Sequence, residues 1–217
     1  DLETQNFLKD NENKSWASTI PRPVGLYNPD FEVDSCGTGF VAHIKGHASH
    51  KIISDARPLL CNMAHRGATS TDGNGDGAGI LVGMPHKFMV REFQLDCQVK
   101  VPQQYHYSVG NVFFKKNCDL SGSKEIFETV ASKFNLKVLA WREVPRDSSI
   151  LGSAALSREP HILQPLVVDA DLDSDLDSTF DEVKFQTNLY LLRKQASKKI
   201  GLENWFYICS LSNKTIV

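Results

Sequence analysis

The chain has 217 residues, with 24 lysines and arginines against 26 aspartates and glutamates and a formal net charge of −2. This balance creates no general field that would attract nucleic acid or an anionic membrane, so we expect neither as a partner. The five cysteines are odd in number and form no C-x-x-C pair. They argue against a disulfide framework and a zinc site, and they favour a reducing compartment.

The first part of the chain differs in character from the rest. Residues 1–35 are polar and contain three prolines, which predicts an extended arm. This composition is typical of neither a signal peptide nor a transit peptide, although a targeting sequence ahead of Asp1 stays open as an alternative. Apolar and polar side chains then alternate from Gly37 to Lys45, which predicts a first strand that starts at Cys36.

The remaining pattern predicts a mixture of helices and strands, which by itself indicates only an α+β fold. Ser49 and Ser123 are expected N-caps of two helices, and Pro58 predicts a kink or an early break in the first. A third, long helix is expected over about residues 179–200. Strands are expected over residues 80–84, 105–114, 138–144 and 162–168, and a final hairpin around Ser212-Asn213. The sequence ends within this last predicted strand, so we expect the domain to continue beyond Val217.

Two groups of residues resemble parts of ion-binding motifs, but each lacks a ligand that the motif requires. Asp72 to Gly77 matches the start of a calcium loop, but the twelfth position is Gly83 where a bidentate Glu is needed. We therefore predict a tight turn in this glycine-rich segment. The histidines lack a carboxylate at helical spacing and an H-E-x-x-H motif, so structural roles are favoured for them.

Cys36 lies where the arm meets the first predicted strand. Taken alone it would be interpreted as a small buried hydrophobe. The surrounding residues change this interpretation, because several segments resemble one known family. These segments are Asp34-Ser-Cys-Gly-Thr-Gly-Phe40, Leu60-Cys-Asn-Met-Ala-His-Arg-Gly67, Gly75-Asp-Gly-Ala-Gly-Ile80 and Trp205-Phe-Tyr-Ile-Cys-Ser-Leu-Ser212.

The sequence resembles the glutamine-amidotransferase domain of the glutamate synthase family, a class II amidotransferase with an N-terminal nucleophile. The resemblance implies that residues 1–35 are a propeptide and that residues 36–217 are the N-terminal part of the amidotransferase domain. It also implies the four-layer αββα sandwich of the N-terminal nucleophile hydrolases, incomplete in this chain.

The resemblance makes Cys36 the catalytic nucleophile, with its own α-amine as the base after cleavage between Ser35 and Cys36. A free thiol titrates near 8.5 and a free α-amine near 8, so exposure of that amine supplies a base beside the sulfur. While Ser35 remains attached the nitrogen is an amide. The chain as written is therefore expected to be an inactive precursor.

Arg66 and Gly67 are the expected supporting residues of the active site. The resemblance implies that Arg66 holds the region around the cysteine and that the Gly67 carbonyl accepts a hydrogen bond from the α-ammonium. Alternatively, Arg66 caps the carbonyl end of the preceding helix. The family's oxyanion-hole and substrate-clamp residues would lie beyond Val217, so these 217 residues alone are expected to have little glutaminase activity.

The implied reaction is hydrolysis of L-glutamine to glutamate and ammonia, with ammonia passing to 2-oxoglutarate in glutamate biosynthesis. The other glutamate synthase domains would be the partners, in a full-length homo-oligomer that uses FMN, an iron–sulfur cluster and often FAD with NAD(P)H. No cofactor or metal site is expected in this segment. The expected compartment is the cytoplasm, with a plastid-type organelle as the alternative.

Two rival functions stay open. In the first, the segment is a non-catalytic docking or folding module whose Cys36 is never unmasked. In the second, Cys36 pairs with a histidine in a thiol hydrolase. The candidate histidines are His43, His50, His65 and His86.

Overall fold

The computed structural model describes residues 25–26, 37–63, 77–171, 180–201 and 206–217. Within these ranges the helices are α1 (His50–Asn62), α2 (His86–Cys97), α3 (Leu120–Lys133), α4 (Ser153–Arg158) and α5 (Glu182–Ile200). The strands are β1 (Val82–Gly83), β2 (Tyr107–Val109), β3 (Val112–Phe114), β4 (Leu136–Glu143), β5 (His161–Asp169), β6 (Tyr207–Ile208) and β7 (Thr215–Ile216).

Strand β5 is the centre of an antiparallel five-stranded sheet. Strand β4 pairs with one edge of β5, strands β2 and β3 share its other edge, and β6 extends the sheet beyond β3. Residues 163–168 of β5 are buried without interruption. Burial on both faces accounts for the apolar run that predicted this strand.

The strand predicted over residues 105–114 is two strands in one continuous register. Val109 pairs with Leu166 and Val112 with Leu163, so the gap between β2 and β3 lies opposite Gln164 and Pro165. A proline has no N–H to donate to the ladder, which explains an interruption at this point. A Cβ at Gly110, in the gap, would overlap the backbone carbonyl of Ser210.

Helices α3 and α5 cover one face of the sheet. Their buried side chains, which include Phe127, Phe185 and Leu192, form the larger core cluster with the sheet. The N-cap of helix α3 is Asp119, which was not the predicted residue. Its carboxylate accepts a hydrogen bond from the Gly122 N–H at 3.0 Å. Ser123, the predicted cap, is buried inside the first turns of the helix.

The opposite face of the sheet carries the second core cluster. Helix α2, absent from the predicted elements, contributes Met89 and Phe93, and the strand pair β1–β7 contributes Ile216. The short helix α4 was also not predicted. Residues 163 and 167 of β5 face α3 and α5, whereas Leu166 and Val168 face α2, as the two-residue period of a strand requires.

The hairpin predicted around Ser212-Asn213 is wrong. Strand β6 pairs with β3 in the large sheet, and β7 pairs with β1 in a separate two-stranded sheet. The connecting chain is held by Asn213, which is fully buried and donates to the Tyr105 carbonyl oxygen and to Glu182 Oε1. Side-chain hydrogen bonds to more distant elements thus replace the tight turn.

The strand predicted from Gly37 to Lys45 is absent from the described structure, in which these residues are irregular. They include a turn, closed by a hydrogen bond from the Gly46 N–H to the His43 carbonyl oxygen. A strand needs a partner for its backbone groups, and alternation alone supplies none. Helix α1 follows Ser49 as predicted, although the Ser49 side chain makes no capping hydrogen bond. The helix runs through Pro58 to Asn62, so the proline causes no early break.

The described elements mix helices with an antiparallel sheet, which confirms the α+β class at this level. Helices α3 and α5, the large sheet, and α2 with the β1–β7 pair stack in that order. No helix in the described ranges is long and apolar enough to cross a membrane.

Candidate active site

The three residues predicted to form the active site, Cys36, Arg66 and Gly67, lie outside the described residues. The same holds for His65 and for the start of the glycine-rich segment, up to Asp76. In the predicted arm the structure describes only an exposed turn at Gly25 and Leu26. Two described segments flank these residues, one after Cys36 and one before strand β1.

The segment after Cys36 contacts the helix that leads toward Arg66 and Gly67. A Cβ added to Gly39 would lie 2.8 Å from a δ-carbon of Leu59, so the backbone at Gly39 packs against this side chain. Leu59 belongs to the last turn of α1, which ends at Asn62. The contact places the segment after Cys36 beside the last turn of α1.

A second flanking segment enters strand β1 from the glycine-rich side. Because β1 and β7 are antiparallel, Val82 at the start of β1 pairs with Ile216 at the end of β7. A Cβ on Gly79 would lie 3.8 Å from a γ-carbon of Val217. The chain entering β1 therefore runs beside the end of β7.

The described candidate histidines already have other partners. The Nδ1 atom of His43 accepts a hydrogen bond from the His47 N–H at 3.3 Å, and the two rings stack. His50 Nδ1 lies 3.2 Å from Ser54 Oγ, and His86 Nδ1 lies 3.1 Å from the Tyr107 hydroxyl. These contacts agree with the structural roles predicted for the histidines.

A cleft of about 630 Å³ lies at one end of strand β4 and contains a thiol and a buried guanidinium. Burial raises the pKa of the Cys97 thiol, and the Asp96 carboxylate raises it further. Such a thiol holds little thiolate and is a poor nucleophile. The guanidinium of Arg142 donates to Asp96, Glu92 and Gln164, so its hydrogen-bonding groups face protein acceptors.

The buried polar residues around Arg142 were missed in the sequence. Gln164 interrupts the apolar run of β5, Arg142 follows the apolar residues 138–141 of β4, and the half-buried Asn111 follows the break at Gly110. A polar side chain inside an apolar strand was the signal that could have identified them, because buried polar groups require partners. In the described ranges no three His, Cys, Asp or Glu side chains group as metal ligands.

Residues 36–217 match the family model of the class-II glutamine amidotransferases. The match spans most of the chain, and the protein belongs to this family.

Several curated proteins that the chain is similar to are glutamate synthases. It is 59% identical to the NADH glutamate synthase of Saccharomyces cerevisiae, with 98% of this chain and 10% of that protein aligned. It is 54% identical to the Schizosaccharomyces pombe NADH glutamate synthase over 94% of the chain and 10% of the relative. It is 36% identical to the Bacillus subtilis NADPH glutamate synthase large chain, with 91% of this chain and 13% of that protein aligned. The chain spans about a tenth of these curated relatives.

Proposed function

We propose that this chain contributes the nucleophile end of a glutaminase site in a glutamate synthase. Cys36 is the nucleophile, its α-amine is the base after removal of residues 1–35, and Arg66 and Gly67 support them. The reaction converts L-glutamine and water to glutamate and ammonia.

One observation carries this proposal. The match to the class-II glutamine amidotransferase family begins at residue 36, which is the cysteine at the junction of the polar arm and the rest of the chain. A domain boundary that coincides with a cysteine is what an N-terminal nucleophile requires. The proposed cleavage after Ser35 would make this cysteine the first residue of the domain.

The chemistry then follows from placing a thiol and an amine on one residue. The Cys36 sulfur attacks the side-chain carbonyl carbon of glutamine, and the α-amine takes the thiol proton and delivers it to the departing nitrogen. Ammonia departs, and the γ-glutamyl group remains bound to the Cys36 sulfur as a thioester. Water attacks this thioester, giving its proton to the sulfur as glutamate departs, which restores the enzyme.

The described flanking geometry supports an active site at this place. The backbone at Gly39, three residues after Cys36, packs against Leu59 near the end of the helix that precedes Arg66. The contact brings together the two segments from which the proposed site residues come.

The full-length enzyme would use the ammonia in glutamate formation from 2-oxoglutarate, in the four-layer αββα architecture that the family resemblance implies. Similarity to NADH, NADPH and ferredoxin-dependent glutamate synthases supports this extension. FMN and the iron–sulfur cluster would be held elsewhere in the longer protein, as the family resemblance implies. The remaining synthase domains and a homo-oligomeric assembly are part of the same proposal.

The test uses the full-length protein purified after normal processing. Intact mass and N-terminal sequencing are expected to give a terminus at Cys36. A glutamine-like electrophile is expected to label Cys36 and abolish glutamine-dependent glutamate formation. The Cys36→Ser variant should lose the labelling and that activity, while activity with added ammonium should persist.

Cys61→Ser provides the matched control, because Cys61 is an exposed free cysteine on α1. It should retain both the labelling at Cys36 and the activity. A functional enzyme whose arm remains attached would support the docking-module alternative and overturn the proposal. Labelling at another side chain, or loss of activity on replacing a single histidine with Cys36 still labelled, would overturn the assignment of roles.

A further inference from the structure

The connection between strands β4 and β5 is longer than their pairing requires. The two strands are antiparallel neighbours with Glu143 opposite Leu163, and the Val144 N–H donates to the Ile162 carbonyl oxygen at 3.0 Å. Strands paired in this way are usually joined by about two to five residues. Here residues 145–160 lie between them, and we call this segment the β4–β5 loop. Connections of this length within a compact domain commonly carry a function.

Polar contacts hold the base of the β4–β5 loop closed. Arg146 Nη1 donates to the Pro160 carbonyl oxygen at 2.5 Å, and Ser148 Oγ donates to Glu159 Oε1 at 2.5 Å. The Arg146 guanidinium also lies 3.5 Å from the same Glu159 oxygen. The first and last residues of the loop are therefore bound to each other, as in a compact surface loop whose ends lie close together.

The far part of the β4–β5 loop is attached to the large sheet. The Nζ atom of Lys116, just after β3, donates to the Leu156 carbonyl oxygen at 2.9 Å. Within the loop the Leu151 N–H donates to the Ser148 carbonyl oxygen at 3.2 Å, and the Leu156 N–H donates to that of Gly152 at 2.9 Å. These hydrogen bonds order the backbone of the loop without burying its apolar side chains.

Three apolar side chains of the loop are exposed. Ile150 is 88% exposed, Leu151 37% and Leu156 41%, and helix α4 has no buried residue. Single exposed apolar residues are common on protein surfaces and need no explanation. These three differ because all of them lie between residues 150 and 156 of a loop whose backbone is ordered. Ordering a backbone costs conformational entropy, which burial of apolar surface normally offsets.

The exposed apolar area of the loop is too small for a stable contact with a separate molecule. Together the three side chains expose less surface than two fully exposed residues would. Each partner in a stable complex buries about 800 Å². A segment of the same polypeptide needs a smaller area, because the covalent connection keeps its local concentration high. An occupant tethered to the chain is therefore favoured over a second copy or a free partner.

We infer that the β4–β5 loop is a docking surface between domains, on which Ile150, Leu151 and Leu156 pack against apolar side chains of the same polypeptide outside residues 1–217. This inference rests on the proposed function, in which the chain is part of a longer glutamate synthase. The size of the relatives supports it, since the chain spans only about a tenth of their length.

The test uses the full-length protein with a photoreactive benzoylphenylalanine in place of Ile150. Irradiation is expected to join this position to a peptide outside residues 1–217, which mass spectrometry identifies. An equal mixture of ¹⁴N- and ¹⁵N-labelled protein distinguishes links within one polypeptide from links between two. The expected products carry a single isotope, because the occupant belongs to the same polypeptide.

Ile150→Cys gives a second measurement in the same full-length protein. A docked side chain is covered, so iodoacetamide should alkylate the introduced thiol at least about tenfold more slowly than the thiol of Val183→Cys. Val183 is the matched control because it is a 75% exposed aliphatic residue on helix α5. Leu156→Asp combined with Ile150→Cys places a charge on the docking surface and should restore the faster alkylation.

A link from position 150 to a peptide within residues 1–217, or to a second copy, would overturn the inference. Equal alkylation of the Ile150→Cys and Val183→Cys variants would also overturn it, because the loop would then be uncovered. None of these measurements depends on glutaminase activity. A docked loop in a protein whose Cys36 is never unmasked would overturn the proposed function alone, and an uncovered loop in an active, processed enzyme would overturn the docking alone.

Discussion

Residues 37–63 and the region from β1 to β7 contrast in how their apolar side chains are used. In the first region Phe40 and Ile44 are almost fully exposed and α1 has no buried residue. In the second, two core clusters lie on the two faces of one sheet. The stretch richest in family motifs is thus distinct from the stretch that forms the described core.

The contrast teaches that family identity and packing come from different residues. The motif around Cys36 depends on glycines and a cysteine, which bury little apolar surface. The sheet depends on Val, Leu and Phe at a two-residue spacing, a pattern that many unrelated sequences could satisfy. Mutations can therefore alter the family motifs without disturbing the core, or disturb the core without altering the motifs.

The largest expected effect comes from two phenylalanines that differ in environment. Phe127 on α3 is fully buried, so Phe127→Ala should lower the free energy of unfolding by about 3–5 kcal/mol. Phe40 is 91% exposed, and Phe40→Ala should change that free energy by no more than about 0.5 kcal/mol. Denaturant unfolding of the 217-residue chain measures both. Equal losses for the two variants would remove the distinction between the regions.

A smaller effect concerns the pH dependence of the packed region. Burial raises the pKa of Tyr107 from 10.0 to about 12, because the phenolate cannot be hydrated in the core. The folded state therefore holds this proton more tightly than the unfolded state. The resulting stability is fully present below pH 10 and is lost as the pH rises toward 12, by about 2–3 kcal/mol in total.

The comparison of wild type with Tyr107→Phe isolates this contribution. The variant also loses the hydrogen bond to His86, so its stability should be lower at neutral pH. The difference from wild type should shrink at alkaline pH, since phenylalanine does not titrate. Unfolding curves recorded at several pH values provide the measurement, and a difference that is constant with pH would contradict the prediction.

The smallest expected effects distinguish two glycines, neither of which has a positive φ. At Gly110 an added Cβ meets the backbone of Ser210 and Leu211, so Gly110→Ala should cost about 1–3 kcal/mol. At Gly39 the Cβ meets the end of the flexible Leu59 side chain, and Gly39→Ala should cost about 1 kcal/mol or less. Thermal unfolding of both variants tests this order, and a larger loss at Gly39 would reverse it.

Sequence patterns predicted β4, β5 and α5 to within a few residues, because long runs with a clear period leave little choice of structure. They failed where the outcome depended on distant partners. Residues 37–45 alternate like a strand but pair with no strand in the described structure. Ser123 looks like a cap, yet Asp119 lies earlier and its carboxylate reaches a free N–H of the first turn.

The polar side chains of the chain divide in the same way. Cys36, Arg66 and Gly67 were found from the motif, and their roles stay predictions because they lie outside the described residues. Asn111 and Gln164 have no motif, and their connection became visible only when β2, β3 and β5 were placed side by side.

The sequence alone determined the family, whose match begins at a cysteine, and the helices and strands with strong periodicity, since these depend on residues close together in the chain. Only the tertiary structure decided that β6 and β7 belong to different sheets and that Asn111 meets the end of β7. Backbone and amide groups have no preferred partner until packing brings one within hydrogen-bond distance. That is the physical reason why the pairing of these strands could not be derived from local sequence.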